Sequence, residues 1–151
     1  QYHFVSKEQF EEMIARDEVL EHAEFCGNYY GTPRDAVEAM RNEGKNVILE
    51  IEVQGAQQVM QKCPDAVSIF IAPPSMTELE KRLRGRGTEA EEVIQKRLAT
   101  ASSELKDAPN YKYLVVNDQV ETAAQEILTI LAAEQIHQIN KEEKVKEVLE
   151  S

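Results

Sequence analysis

Val47-Ile48-Leu49-Glu50-Ile51 is the stretch on which the reading of the fold turns. It is a nearly continuous apolar run placed after one helical pattern and before another, as in a strand buried on both faces of a parallel sheet. Residues 56–62 downstream are amphipathic and stop at Pro64, because the residue before a proline leaves the helical region. Val67-Ser68-Ile69-Phe70-Ile71 then repeats the apolar run and is closed by Pro73-Pro74. Ser75 with Glu78 caps a further helix carrying Leu79 and Leu83, and Tyr113-Leu114-Val115-Val116 is a third buried strand. Strands separated by a helix's length predict right-handed βαβ units around a parallel sheet, an α/β fold.

Upstream of these runs the pattern is shorter-ranged. Tyr2-His3-Phe4-Val5 reads as a strand, and Ser6 with Gln9 is a capping box opening a helix over 7–16 with Phe10, Met13 and Ile14 on one face. Residues 19–25 read as a strand, and Gly27-Asn28 before Tyr29-Tyr30 has hairpin-turn chemistry. Thr32-Pro33 places a cap residue and a first-turn proline ahead of Val37 and Met40, with Gly44 as the stop of a second short helix. At the other end, residues 121–151 read as a long helical tail. Ala124, Ile127, Leu128, Leu131 and Ile136 form its packed face before a charged stretch over 141–146.

The chain has 151 residues, 42% hydrophobic and 30% charged, enough for about one core. Seventeen Lys and Arg against 28 Asp and Glu give a net charge of −11, which argues against non-specific nucleic-acid or anionic-membrane binding. An anion would have to bind at a local basic cluster. No stretch approaches the roughly 20 apolar residues of a membrane span and no leader pattern opens the chain, so a cytoplasmic location is expected. Cys26 and Cys63 lack metal-site spacing and read as buried reduced thiols. The opening at Gln1, directly on a strand, reads as the C-terminal part of a longer chain.

Four groups of residues have chemical potential. Lys81-Arg82-Leu83-Arg84-Gly85-Arg86-Gly87-Thr88, followed by Lys96-Arg97, has the composition of a solvated helix end. Its two glycines also put a hinge among guanidinium groups able to clamp phosphate oxygens, as in a lid over a polyphosphate. Residues 21–32 bring tyrosines, a hydroxyl and the Glu21 carboxylate to one hairpin. Tyrosines there serve equally as cross-strand packing, but a carboxylate is acceptor-only, which matches guanine's N1–H and N2–H and mismatches adenine's N1. Glu50 and Glu52 follow a strand at the end where α/β sheets bind ligands, and they suit helix capping as well. Asn117-Asp118 lies at the same kind of edge, where a plain turn is the simpler reading.

Seven strings in this order resemble guanylate kinase. They are Tyr2-His3-Phe4-Val5-Ser6, Leu20-Glu21-His22-Ala23-Glu24-Phe25, Gly27-Asn28-Tyr29-Tyr30-Gly31-Thr32-Pro33-Arg34, Leu49-Glu50-Ile51-Glu52-Val53-Gln54-Gly55-Ala56, Ile71-Ala72-Pro73-Pro74-Ser75, Arg82-Leu83-Arg84-Gly85-Arg86-Gly87-Thr88 and Val115-Val116-Asn117-Asp118. The resemblance implies a P-loop NTPase-like parallel-sheet core with a small β-rich GMP-binding insertion and a helical lid. It divides the chain into a GMP-binding region over 1–45, core over 46–81, lid over 82–100, and core with C-terminal helix over 101–151. It implies transfer of the γ-phosphoryl of ATP, with Mg²⁺, to GMP. Tyr2 and Tyr30 would hold the GMP phosphate, and Glu21, Thr32 and Glu52 the guanine side. Arg86 and Arg97 would act catalytically by bridging donor and acceptor phosphates, and Asn117 would border the adenine.

Two departures accompany the resemblance. Glu52 stands where the family commonly has Asp, and no G-x-x-x-x-G-K-[ST] loop occurs in these 151 residues, although the family holds the ATP phosphates on one. The family places that loop, its strand and two further GMP-phosphate arginines ahead of the position of Gln1. The chain alone is therefore expected to be inactive. The alternative is a non-catalytic guanylate-kinase-like interaction module, which tends to lose the GMP and lid residues that Glu21, Tyr30, Thr32, Arg86 and Arg97 retain here. A kinase for another nucleoside monophosphate is disfavoured by Glu21 and the hairpin string.

Overall fold

The computed structural model describes residues 3–25, 27–137 and 141–151. The chain divides into two compact units, residues 1–66 and 67–151. In the first, α1 (Lys7–Ala15) is opened by Ser6, whose hydroxyl accepts from the Gln9 N–H while the Gln9 side chain accepts from the Ser6 N–H. The helix ends on Asp17, a non-glycine residue at φ +56°. The amides of Asp17 and Glu18 close onto Ile14 and Met13, satisfying the last carbonyls. Left-handed backbone costs an L-residue energy, and here the Asp17 carboxylate gathers Arg34 at 2.9 Å and Lys62 at 3.1 Å. The bond to Lys62, then the Arg34 charge, holds the carboxyl below its usual range.

β1 (Val19–Phe25) and β2 (Asn28–Pro33) form an antiparallel hairpin, followed by α2 (Arg34–Asn42) and α3 (Val53–Lys62). The register shifts between Val19 and Glu21, so Val19, Leu20 and Glu21 are buried in succession where a regular pleat would expose every second residue. The free edge of β1 is finished by α3. Gln58 donates to the His22 carbonyl at 3.0 Å and accepts from the His22 amide at 3.1 Å, and Lys62 donates to the Val19 carbonyl at 2.7 Å. Gln58 and Lys62 are four apart, one turn of the same helix face.

The second unit holds β3 (Ile69–Ala72) and β4 (Tyr113–Val116), parallel and in register from Ile69–Tyr113 to Ala72–Val116. Their crossover is helical, through α4 (Met76–Gly85), α5 (Glu91–Glu104) and a 3₁₀ turn (Ala108–Asn110). Phe70, Ala72, Leu83, Ile94, Val115 and Ala123 are buried, and the Phe70 and Tyr111 rings meet edge-on at 5.1 Å. α6 (Val120–His137) is fastened by Glu134, a buried carboxylate that accepts from the Tyr113 hydroxyl at 2.6 Å and pairs with Lys112 at 2.5 Å. α7 (Lys141–Glu150) follows. Between α4 and α5, Arg84 ties Glu80 at 2.9 Å and Glu91 at 2.7 Å. Among the described residues no helix is long and apolar enough to cross a membrane.

The α/β reading with parallel strands and a helical crossover holds, as do both Ser caps, but several elements differ. Residues 3–5 are not a strand, and Phe4 is exposed; Tyr2 and Cys26 lie outside the described residues. Val47-Ile48-Leu49-Glu50-Ile51 is not a strand either, because it has no ladder partner among the described residues. Its side chains still alternate, with Val47, Leu49 and Ile51 half-buried and Ile48, Glu50 and Glu52 exposed. Thr32 lies in β2 rather than capping α2, Pro33 ends β2 and stands at the α2 N-cap without a side-chain cap bond, and Asn28 already begins β2, leaving Gly27 at φ +78° in the reversal. On α6, Ala124, Leu128 and Ile136 are exposed. Apolar residues surround that helix, so their spacing does not select the face that packs. Cys63 is half-buried and unpaired rather than buried.

Truncation of Gln58 leaves both backbone groups of His22 without their partner. Gln58→Ala is expected to cost about 1–3 kcal/mol in urea unfolding, and an unchanged midpoint would show that α3 is not held by this clasp. A second expectation concerns pH. The Glu91 carboxyl is lowered from 4.5 to about 2, first by the Arg84 hydrogen bonds and then by Gln95. A depressed carboxyl stabilises fully above its unfolded value and loses that contribution as pH falls through the folded one. Protection of the 85–91 amides from hydrogen exchange is therefore expected to fall between pH 4.5 and about 2, and less so in Glu91→Gln. Both partners are exposed, so high salt weakens the effect. Protection factors that stay constant across the window would contradict it.

Candidate functional site

In the first unit the polar focus is a buried carboxylate. Glu21 is 7% exposed, and its Oε1 accepts from the Thr32 hydroxyl at 2.7 Å. The two residues are direct cross-strand partners, and Tyr30, opposite Ala23, lies two residues along on the same face of the hairpin. Tyr29 points to the other face, against the Phe10 ring at 5.8 Å with Lys7 above it. The two tyrosines therefore separate into a packing residue and an exposed one, Tyr30. Gly31, which follows them, is required by close approach. A Cβ there would meet the Glu21 carbonyl at 2.7 Å, Val19 at 2.8 Å and Phe10 at 2.9 Å.

The second face of Glu21 is covered by α3. A Cβ on Gly55 would lie 2.9 Å from Glu21 Oε2. Glu52 sits at the N-cap of the same helix, exposed and making no side-chain cap bond. The structure thus gathers Glu21, Thr32, Tyr30 and the start of α3 around one carboxylate, the arrangement expected of a site that accepts hydrogen bonds from a donor edge.

In the second unit the carboxyl ends of β3 and β4 carry the polar groups. The Asn117 amide extends the ladder by donating to the Ala72 carbonyl at 2.8 Å. Arg82 reaches from α4 to the Asn117 carbonyl at 2.7 Å and the Asp118 carbonyl at 3.1 Å, while its Nε binds Glu78 at 3.0 Å. Arg86 caps α4 and is followed by Gly87 at φ +64°, a conformation most side chains avoid. Arg86 is exposed and, among the described residues, makes no ion pair. Arg97 on α5 pairs with Glu89 at 2.7 Å, and the other Glu89 oxygen is buried without a hydrogen-bond partner. The basic run is therefore only partly free: Arg84 and Arg97 are held by carboxylates and Arg86 is not.

Four positions escaped the sequence reading. Gln58 and Lys62 are legible only once α3 is known to lie on β1, and Arg82 was one arginine among several. Gly55 fell just ahead of the helical pattern expected over 56–62, whereas α3 begins at Val53 and includes it.

The family model for guanylate kinase matches residues 1–134. The guanylate kinase of Desulfitobacterium hafniense is 56% identical over 133 residues, 88% of this chain and 66% of that protein. The guanylate kinase of Escherichia coli K12 is 53% identical over 135 residues, 89% of this chain and 65% of that protein. Thus the chain spans just under two thirds of the length of these relatives. Among solved structures, a guanylate kinase from Anaplasma phagocytophilum superposes with a TM-score of 0.69 at 38% identity, covering 89% of this chain and 65% of that one.

Proposed function

The chain belongs to the guanylate kinase family, and from that premise we propose that the protein transfers the γ-phosphoryl group of ATP to GMP, giving ADP and GDP. The observation that carries the reading is the buried Glu21 carboxylate bonded to Thr32. One oxygen accepts from the hydroxyl, and the remaining lone pairs have only acceptor capacity to offer. Guanine presents adjacent N1–H and N2–H donors, whereas adenine presents an acceptor at N1 that would face the carboxylate unpaired. Thr32 and Glu52 complete the purine side, and Tyr30, with Tyr2, binds the GMP phosphate.

The reaction requires no covalent enzyme intermediate. An oxygen of the GMP phosphate attacks the γ-phosphorus of ATP in line, the bond from the γ-phosphorus to the β,γ-bridging oxygen breaks, and its electron pair leaves with ADP. Charge spreads over the equatorial oxygens, and Arg86 and Arg97 neutralise it from residues 82–100 acting as a lid. Arg97 exchanges Glu89 for phosphate oxygens in that step. Asn117 borders the adenine at the carboxyl end of β4. Mg²⁺ enters as part of the ATP substrate.

A coupled assay on the full-length protein tests the reading. Glu21→Gln is expected to weaken GMP use by about 1–3 kcal/mol or more while ATP binding changes little; equal losses for both nucleotides would sink the guanine-recognition role. Arg86→Ala is expected to lower kcat by about 10²–10³ with KM values nearly unchanged, and an effect confined to KM would assign Arg86 to ground-state binding instead.

A further inference from the structure

Gly55 lies inside α3, away from the positive-φ region, so the backbone there does not call for glycine. Glycine weakens a helix relative to alanine, and its presence asks for another cause. The space beside it supplies one. The three heavy atoms nearest a Cβ at residue 55 are Oε2, Cδ and Cγ of Glu21, at 2.9, 3.4 and 3.5 Å. The volume an alanine methyl would fill is occupied by the Glu21 carboxylate.

Gly31 provides the contrast. A methyl there collides with a backbone carbonyl and two packed side chains, so the whole hairpin would have to move. At Gly55 the colliding atom is the far end of a flexible side chain, and a small rotation of the carboxylate relieves the clash. The consequence of a methyl at Gly55 is thus cheap for the fold and direct for the carboxylate. The position of α3 that brings Gly55 to Glu21 is set by the two bonds of Gln58 to His22, the residue next to Glu21.

We propose that Gly55 is a specificity-determining positioning residue: its bare Cα lets Glu21 Oε2 seat against α3 while Oε1 takes the Thr32 hydroxyl, and the two contacts together aim the carboxylate at the purine edge. The proposal rests on the reading of Glu21 as the guanine acceptor, and the test separates the two. In the full-length protein, Gly55→Ala is expected to raise the GMP dissociation constant and KM about tenfold or more. The value of kcat at saturating GMP and KM for ATP should stay within about twofold. The melting temperature should be unchanged or higher, because alanine favours the helix. A merely structural role would move the melting temperature and both substrates together.

In a Glu21→Ala background the added methyl has nothing to displace, so Gly55→Ala is expected to cause no further loss. An additive loss in that background would overturn the proposal. So would a lowered melting temperature in Gly55→Ala, since the methyl would then be meeting more than a movable carboxylate. If Glu21→Gln weakens GMP binding and Gly55→Ala does not, the positioning role fails while the guanine reading stands. If Glu21→Gln leaves GMP binding intact, the guanine reading fails and the proposal with it.

Discussion

A carboxylate held out of water is the constraint around which the first unit is arranged. Burying an acceptor-only group is unfavourable unless donors meet it, and Glu21 has the Thr32 hydroxyl on one oxygen. That bond demands that Glu21 and Thr32 face each other, which sets the hairpin register. The register in turn absorbs an extra residue next to Glu21, so three successive side chains of β1 point inward. The hairpin must also lie close over α1, and Gly31 makes that approach possible. Asp17 then joins the end of α1 to Arg34 at the start of α2 and Lys62 at the end of α3. Elements far apart in the chain are thereby fixed around one charged group.

The second unit has its own buried carboxylate with a different task. Glu134 accepts from Tyr113, the first residue of β4, and from Lys112 just before it. Its bonds raise both groups, the tyrosine hydroxyl and the ammonium, because each is held in its donor form. Glu134 fastens a helix to a strand through two donors on one oxygen, whereas Glu21 has a single hydroxyl donor, Thr32, on its Oε1.

Local signals in the sequence carried well. Ser6 with Gln9 and Ser75 with Glu78 name their helices because capping is a contact over three residues, and the βαβ alternation follows from apolar runs four or five residues long. Signals that depend on a distant partner carried poorly. Residues 47–51 have strand-like composition and alternate in exposure, but a strand exists only with a neighbour to bond. The face of α6 was misread because apolar residues surround that helix. In the candidate site, Glu21 and Thr32 were legible from their spacing across a turn. Gly55 and Gln58 were not, since their meaning depends on a helix folding back onto β1 over more than thirty residues.

The arrangement of the arginines gives the net charge of −11 a local meaning. Carboxylates pair with Arg16, Arg34, Arg41, Arg82, Arg84 and Arg97. Only Arg86, between two glycines, stands without one among the described residues. An excess of acid therefore does not repel an anion uniformly; it takes up guanidinium groups needed to hold helices and leaves one uncommitted. A polyphosphate approaching Arg86 displaces no internal partner, while at Arg97 it must compete with Glu89. If residues 82–100 act as the proposed lid, that order lets the free group make the first contact, and the paired one responds only when enough phosphate charge is present to replace a carboxylate.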